Sequence, residues 1–295
     1  MAYLNQYLIL LSSLFKSKES VAIAFAIAAY LSFSLLDSIQ KNLIIYFAAF
    51  QLLFIKYIFT LSLSLIEAIR KRNSKFYVTR NIKLQLLRCM LSILESGFFV
   101  LAFRYLSLAD AHTIGASTPI IVVIFSILFL KEKVSPKIWV AIFIGFLGVL
   151  VIMRPGLSVF DTKSLIPLAA AFFLGLYQVV TRKVSELDQN ETSLFYNGIT
   201  GISLMGFLCI FYWKPISIEF MPFFIGIGFF YSLAVYLQII ALSKAGASVV
   251  QPFHYTLIFW AIIFGYLFYN DIPDLFTILG GIIIASSGIY ILKNN

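Results

Sequence analysis

Charge is scarce in this sequence: Lys, Arg, Asp and Glu make up 12% of 295 residues, about half the share of a soluble domain. Two cysteines, Cys89 and Cys209, both lie in or beside apolar runs. They exclude a disulfide framework and leave no CxxC metal site. Two histidines, His112 and His254, cannot build an HExxH zinc site, and no Walker loop or GxSxG elbow occurs. No metal and no cofactor is therefore expected. Acidic residues are few as well, 13 against 22 Lys and Arg, for a net charge of +9. In a soluble domain that excess would suggest nucleic acid. What is abundant argues otherwise, because 61% of the residues are hydrophobic and the mean hydropathy is +0.97. A soluble globule of this size cannot bury so much apolar surface. The chain reads as an integral membrane protein, with the lipid bilayer as its surroundings and no nucleic-acid partner.

A membrane-crossing helix takes roughly 17–25 mostly apolar residues. Ten such runs are expected, at 20–37, 44–66, 86–103, 111–130, 138–153, 165–181, 193–213, 221–240, 247–268 and 275–292. Charged or turn-forming breaks separate them, among them Arg70-Lys71-Arg72, Lys131-Glu132-Lys133, Arg154-Pro155-Gly156, Lys214-Pro215 and Asn270-Asp271-Ile272-Pro273. The apolar run Tyr3 to Phe15 has no positive charge before it, unlike a signal peptide, and is too short to cross. It reads as a helix lying in the interface, within an N-terminal segment 1–19. With both termini in the cytoplasm, most of the 22 basic residues fall on the cytoplasmic side, as the positive-inside rule requires.

The chain also repeats. Ala28-Ala29-Tyr30 through Gln40-Lys41 overlays Ala170-Ala171-Phe172 through Arg182-Lys183, and each stretch opens a set of five spans. Five is odd, so the second set enters the membrane from the opposite side. The expected fold is all-α, ten transmembrane helices in two inverted five-helix repeats (5+5) over 20–156 and 157–295. Inverted repeats of this kind are a common ground plan of secondary transporters, with the binding site at mid-membrane.

Particular residues carry a family likeness. Leu106-Ser107-Leu108-Ala109-Asp110-Ala111, Thr118-Pro119, Leu130-Lys131-Glu132-Lys133, Gly145-Phe146-Leu147-Gly148-Val149 and Arg154-Pro155-Gly156 resemble the first half of an EamA-type carrier of the drug/metabolite transporter superfamily. Ala247 to Tyr255, Gly280-Gly281 and Gly288-Ile289-Tyr290 are similar to its second half. The resemblance implies ten helices around a central cavity, no ATPase, and a small organic metabolite as substrate: an amino acid, a vitamin such as riboflavin, or a nucleoside-like compound such as S-adenosylmethionine. It also implies a bacterial inner membrane. Two positions depart from the pattern, Lys56 in place of a frequent arginine and Asp271 in place of glutamate after span nine.

Two charges fall near the centres of their spans, Lys56 and Glu95. Each costs about 2.5–3.5 kcal/mol there unless paired or hydrated, so they should face each other or a shared wet cavity. They serve either as a substrate or proton-coupling pair, or as a structural ion pair between spans two and three. Glu95 is the candidate proton carrier. Gln251, His254 and Tyr255 are spaced to share one helix face, with Pro252 beside them to kink the helix. His254 can change charge near neutral pH and is the second candidate for proton coupling. Gln178, Tyr231 and Gln238 add neutral hydrogen-bonding groups, with Tyr231 and Gln238 on one stripe. The substrate-binding set is thus Lys56, Glu95, Gln178, Tyr231, Gln238, Gln251, His254 and Tyr255. His112, at the start of span four, reads as solvated or capping, and Glu132 as part of a boundary charge cluster. Gly145 and Gly148 in span five and Gly281, Ala285 and Gly288 in span ten permit close helix approach, within the chain or in a homodimer. No catalytic group stands out, so a carrier is expected rather than an enzyme. A non-transporting scaffold or sensor on the same fold is the alternative.

Overall fold

The structure is a computed structural model that describes residues 18–106, 108–153, 163, 165–269 and 275–294. The expected interfacial helix, the breaks at 154–156 and 270–273, and Asp271 lie outside the described residues. Among the described residues twelve α-helices follow one another: α1 (Lys18–Tyr46), α2 (Ala49–Arg70), α3 (Ile82–Tyr105), α4 (Leu108–Gly115), α5 (Thr118–Phe125), α6 (Pro136–Met153), α7 (Leu165–Val184), α8 (Asn190–Tyr212), α9 (Met221–Lys244), α10 (Ala247–Val250), α11 (Thr256–Tyr269) and α12 (Leu275–Asn294). Among the described residues there is no strand. Seven helical segments are long and apolar enough to cross a membrane: α1, α2, α3, α7, α8, the run ending in α9, and the run from α10 into α11. Three shorter apolar helices, Thr118–Leu130, Pro136–Val151 and Ile278–Ser287, accompany them. Large apolar side chains such as Ile69, Phe143, Phe207, Ile210 and Phe211 remain on the outer surface, where lipid solvates them at no cost.

Two elements differ from the sequence expectation, and a third, the kink at Pro252, meets it. The first span does not stop at residue 37 but runs to Tyr46. Its polar residues end no helix, because Gln40 finds a buried partner on α2. Span four is broken: α4 ends at Gly115, α5 restarts at Thr118 with Pro119 in its first turn, and Ser126–Leu130 forms a π-helical turn. Span nine is broken likewise, since α10 passes at Gln251–Tyr255 into a 3₁₀ turn opening on Pro252 before α11 begins. Proline at the start of a helical segment lacks only an amide hydrogen that would have no intrahelical acceptor.

The helix ends have local causes. Asn81 caps α3, its side-chain oxygen accepting from Leu84 N at 3.1 Å. Arg72 closes α2 in the left-handed region at φ 53, with Arg72 N donating to Ile69 O and Asn73 N to Ala68 O. Those two bonds are a Schellman ending. Glu132, expected in a cluster with its lysine neighbours, instead reaches across to the start of α10. Its oxygens accept from Ala247 N at 2.9 Å, Ser248 N at 3.1 Å and Ser248 Oγ at 2.6 Å. Unbonded amides at a helix start attract a carboxylate.

Helix pairing is ordered. α1 lies along α9, and α3 along α7; α1 also meets α11, and α5 meets α7; α2 packs on α8, and α6 on α12. Exchanging α1–α6 with α7–α12 in order carries each of these pairings into itself or into another of the set. In lipid no hydrophobic gain drives helices together, so close fit has to do it. Gly201 receives the ring of Tyr57, and Gly198 lies against the backbone of Leu61. Gly148 brings α6 against Ile284 and the Gly280 carbonyl of α12, so this glycine packs within the chain.

Gly198 gives a direct test of the α2–α8 fit. An added Cβ would fall 2.7 Å from Leu61 N and 2.8 Å from its Cα, and backbone cannot rotate aside. Gly198→Ala is expected to destabilise the protein by about 1–3 kcal/mol, seen as a lower thermal midpoint in detergent. Gly281→Ala, whose Cβ meets nothing within 4 Å, should leave that midpoint unchanged or slightly raised.

Candidate functional site

A cavity opens between the helices, with about 700 Å³ of space free of protein atoms that includes its open mouth. One stripe of α1 supplies Tyr30, Phe33, Asp37 and Gln40, spaced so that all four face the same way. Lys56 enters from α2, Glu95 with Ser96 and Phe99 from α3, and His112 from α4. The rest of the lining comes from later in the chain: Leu174 of α7, Tyr231 and Gln238 of α9, His254 of the 3₁₀ turn, and Leu257 and Ile258 of α11.

Charge in the cavity is organised along α1. Lys56 is 1% exposed, and its Nζ donates to Gln40 Oε1 at 2.5 Å. Gln40 Nε2 donates in turn to Asp37 Oδ1 at 2.8 Å. The other Asp37 oxygen lies 3.6 Å from His112 Nε2. Lysine ammonium, amide and carboxylate thus form one hydrogen-bonded chain, and the imidazole stands beside its end with Nε2 unbonded among the described residues. Lys56 Nζ also stands 5.1 Å from the centre of the Tyr231 ring, a cation–π distance. Tyr57 holds that ring edge-on at 5.7 Å, and Tyr57 itself is seated against Gly201. The α2–α8 fit therefore fixes the aromatic wall beside the lysine.

Glu95 shares the cavity with Lys56 but is not bonded to it. Its Oε1 accepts from Ser96 Oγ at 2.7 Å. Of the two readings of this pair, the direct ion pair between spans two and three is not formed: Lys56 is held by α1 and Glu95 by its own helix. His254 packs its ring on Tyr30 at 4.9 Å, edge to face, and its Nδ1 has no hydrogen-bond partner among the described residues.

The eight residues singled out from sequence divide into two groups. Lys56, Glu95, Tyr231, Gln238 and His254 line the cavity. Gln178, Gln251 and Tyr255 do not. Gln251 Nε2 donates to Gln178 Oε1 at 2.6 Å and to Ala247 O at 3.2 Å, so this pair ties α7 to the broken ninth span. Tyr255 is fully buried beside Ala116, Val149, Ile258 and Ile284, against Gly145. The shared face expected for Gln251, His254 and Tyr255 assumed 3.6 residues per turn. With three per turn, His254 stays in line with Gln251 while Tyr255 swings away.

Asp37, Gln40, Tyr30 and His112 were not expected in the site. Asp37 looked like a helix end because Lys41 and Asn42 follow it, yet Leu43-Ile44-Ile45 continue the apolar run beyond. That continuation was the available signal. His112 looked interfacial because it lies at the start of its span. The break at Ala116–Ser117 lets α4 place it against the cavity instead.

Comparison with known proteins agrees with this architecture. The EamA-like transporter family matches residues 20–154 and again 163–293, so the family domain is present twice. A riboflavin transporter of Vibrio cholerae is 30% identical over 212 residues, covering 70% of each chain. An S-adenosylmethionine uptake transporter of Rickettsia bellii is 23% identical over 274 residues, covering 92% of this chain and 94% of that protein. A crystal structure with 14% identity superposes with a TM-score of 0.76 over 92% of this chain and 96% of its own, a likeness of fold alone. A duplicated family domain, membrane-length helices and transporter relatives lead to one conclusion: the chain is a multi-pass membrane transporter of small molecules and belongs to the EamA-like transporter family.

Proposed function

We propose that the protein is a secondary carrier of a small organic metabolite, working by alternating access in a bacterial inner membrane with both termini in the cytoplasm. The observation that carries this reading is the cavity itself: a buried amine, two carboxyls and two imidazoles between walls drawn from the early and the late helices. The helix pairing, unchanged when the halves are exchanged, supports ten spans in two inverted sets of five over 20–156 and 157–295. The breaks at Pro119 and Pro252 fall in corresponding spans of the two sets. Discontinuous helices in matching positions of inverted repeats mark transporter binding sites. Rocking of the sets about that site would expose it to each side in turn, and no bond-making step is required of any residue. A homodimer through spans five and ten would use faces away from Gly148, which already serves the contact between α6 and α12.

Within the site, Lys56 is assigned to an anionic or strongly accepting group of the solute, and Tyr231 to a flat ring stacked beside it. Gln238 supplies hydrogen bonds. Glu95 and His254 are assigned to proton coupling, with Asp37 holding the lysine end through Gln40. Gln178, Gln251 and Tyr255 become supports rather than contacts. The names of the relatives make riboflavin and S-adenosylmethionine the first solutes to test.

Uptake of each labelled solute into proteoliposomes tests the reading, and absence of flux for every solute in a metabolite screen would favour the scaffold alternative. Lys56→Ala removes a charge-assisted hydrogen bond and is expected to weaken transport by about tenfold or more while the protein stays folded in detergent. Unimpaired uptake would take Lys56 out of the site. Glu95→Gln keeps the shape but cannot release a proton. It should flatten the pH dependence of uptake, and an unchanged profile would place coupling elsewhere.

A further inference from the structure

Arg88 takes no part in the lining just described, and it is a buried cation without a carboxylate bonded to it among the described residues. It lies on α3 with no exposure to solvent, inside a helix long enough to span. Its Nε donates to Gln85 Oε1 at 3.1 Å. Its Nη2 donates to the Ser193 carbonyl and stands 3.7 Å from Cys89 Sγ. The guanidinium carbon is 5.8 Å from the centre of the Tyr177 ring. Nη1 has no partner. A guanidinium presents a planar fork of donors matched to carboxylate or phosphate, and here that fork is spent on neutral acceptors with one nitrogen left over.

Negative charge reaches Arg88 through an intermediary. Gln85 accepts from the guanidinium and donates its Nε2 to Asp188 Oδ2 at 2.8 Å. Asp188 also accepts from Thr79 Oγ1 at 2.5 Å and Arg80 N at 2.9 Å. These bonds dock the turn between α7 and α8 onto the loop between α2 and α3. They are contacts between separate segments, so parting α8 from α3 would free the fork of Arg88.

Arg88 is also in line with the cavity. Arg88, Ser92 and Glu95 are spaced i, i+4, i+7 and share one face of α3. Glu95 lines the cavity, and Ser92 Oγ is 3.3 Å from the hydroxyl of Tyr231, another lining residue. Arg88 therefore lies about 10 Å along the helix from Glu95, at 1.5 Å per residue, towards the Asp188 end. Tyr177, over the guanidinium, packs in one cluster with the lining residue Leu174.

We propose that Arg88 is a second station for an anionic group: it takes the carboxylate or phosphate of a solute between the cavity and the Asp188 end when α3 and α8 part. The inference rests on the carrier reading above. It gives the buried fork a ligand matched to it, and it makes Asp188 the internal anion that holds the station through Gln85 while the end is shut.

Cys89, beside the guanidinium, is a native reporter. In a Cys209→Ser background it is the one thiol left in the sequence. Membrane vesicles carrying that protein are treated with two thiosulfonate reagents of similar size, one bearing a sulfonate and one a trimethylammonium group. The sulfonate reagent is expected to label Cys89 several-fold faster, Arg88→Lys to keep that preference, and Arg88→Gln to abolish it. Acetate and phosphate, added separately at constant ionic strength, should slow the labelling in the arginine protein only. The stronger protector tells a carboxylate station from a phosphate one. Equal labelling by both reagents, faster labelling by the cation, no labelling of Cys89 at all, or protection that survives Arg88→Gln would each overturn the proposal. So would a lower thermal midpoint in Arg88→Gln with the reagent preference intact, since that is what a plain α3–α8 clamp predicts. Solute uptake in the same vesicles separates the two readings. Uptake with no reagent preference removes the station alone, whereas a preference without uptake of any solute removes the carrier and leaves an anion site.

Discussion

An ammonium group within a lipid bilayer must be held by oxygen atoms, and the Gln40 side chain supplies one to Lys56 at 2.5 Å. Much of the site follows from that bond. It requires the first span to continue past Asp37, so that Gln40 reaches the level of the lysine, and it orients the Gln40 amide so that its nitrogen meets Asp37. A neutral amide between the two charges spreads the pair over three side chains. One donor of the ammonium is used on Gln40, which leaves two, and the aspartate keeps an oxygen near His112. Compensation without saturation is what a binding site in lipid needs, because a charge wholly satisfied by protein has nothing to offer a ligand.

The packing of the helices is subordinate to that chemistry. Glycines on α8 let α2 come close, and the same approach seats Tyr57 and, through it, the Tyr231 ring beside Lys56. To the same cavity the broken fourth and ninth spans bring one histidine each. An unbroken helix would carry its amides straight past; a break turns part of the chain inward and leaves polar backbone that must be satisfied where protein, not lipid, surrounds it. Glu132 answers that demand at the start of α10. A carboxylate from the end of one broken span therefore fixes the beginning of the other, and the two histidine-bearing segments are mechanically joined.

The sequence made the membrane class, the repeat and the polar residues deep inside apolar runs plain, because in lipid such residues stand out by hydropathy alone. Lys56, Glu95, Tyr231, Gln238 and His254 are of that kind. Residues near a run's apparent end were harder to place. Asp37 and Arg88 sit beside other polar residues, so hydropathy ends the span just there, and only the tertiary partners reveal that each is buried: Gln40 and His112 for the first, Ser193 and Tyr177 for the second. Tyr255 was misplaced for a different reason. Helical periodicity was taken as uniform, and a 3₁₀ turn after Pro252 rotated it out of register. Gln178 and Gln251 stand out by hydropathy too, but polarity does not say whether a group faces a cavity or another side chain.

The two ends of the bundle are not held alike. At one, Gln51 exchanges hydrogen bonds with the backbone of Lys214, and Lys214 Nζ donates to Tyr46 O. At the other, Asp188, Glu191, Lys71, Asn73, Thr79 and Gln85 form a broad network across the two sets of helices. Each network exchanges its hydrogen bonds for bonds to water when its end parts, at a small net cost per bond. What decides which end opens is the difference in affinity of a solute for the two arrangements, since a ligand shifts a conformational equilibrium only by that difference. The chain from Asp37 through Gln40 to Lys56 supplies such a difference. It joins α1 to α2, and α1 is packed on α9 and α11 while α2 is packed on α8. In the proposed carrier, a solute that competes for the ammonium would loosen the link between two helices that each lean on the later half of the chain.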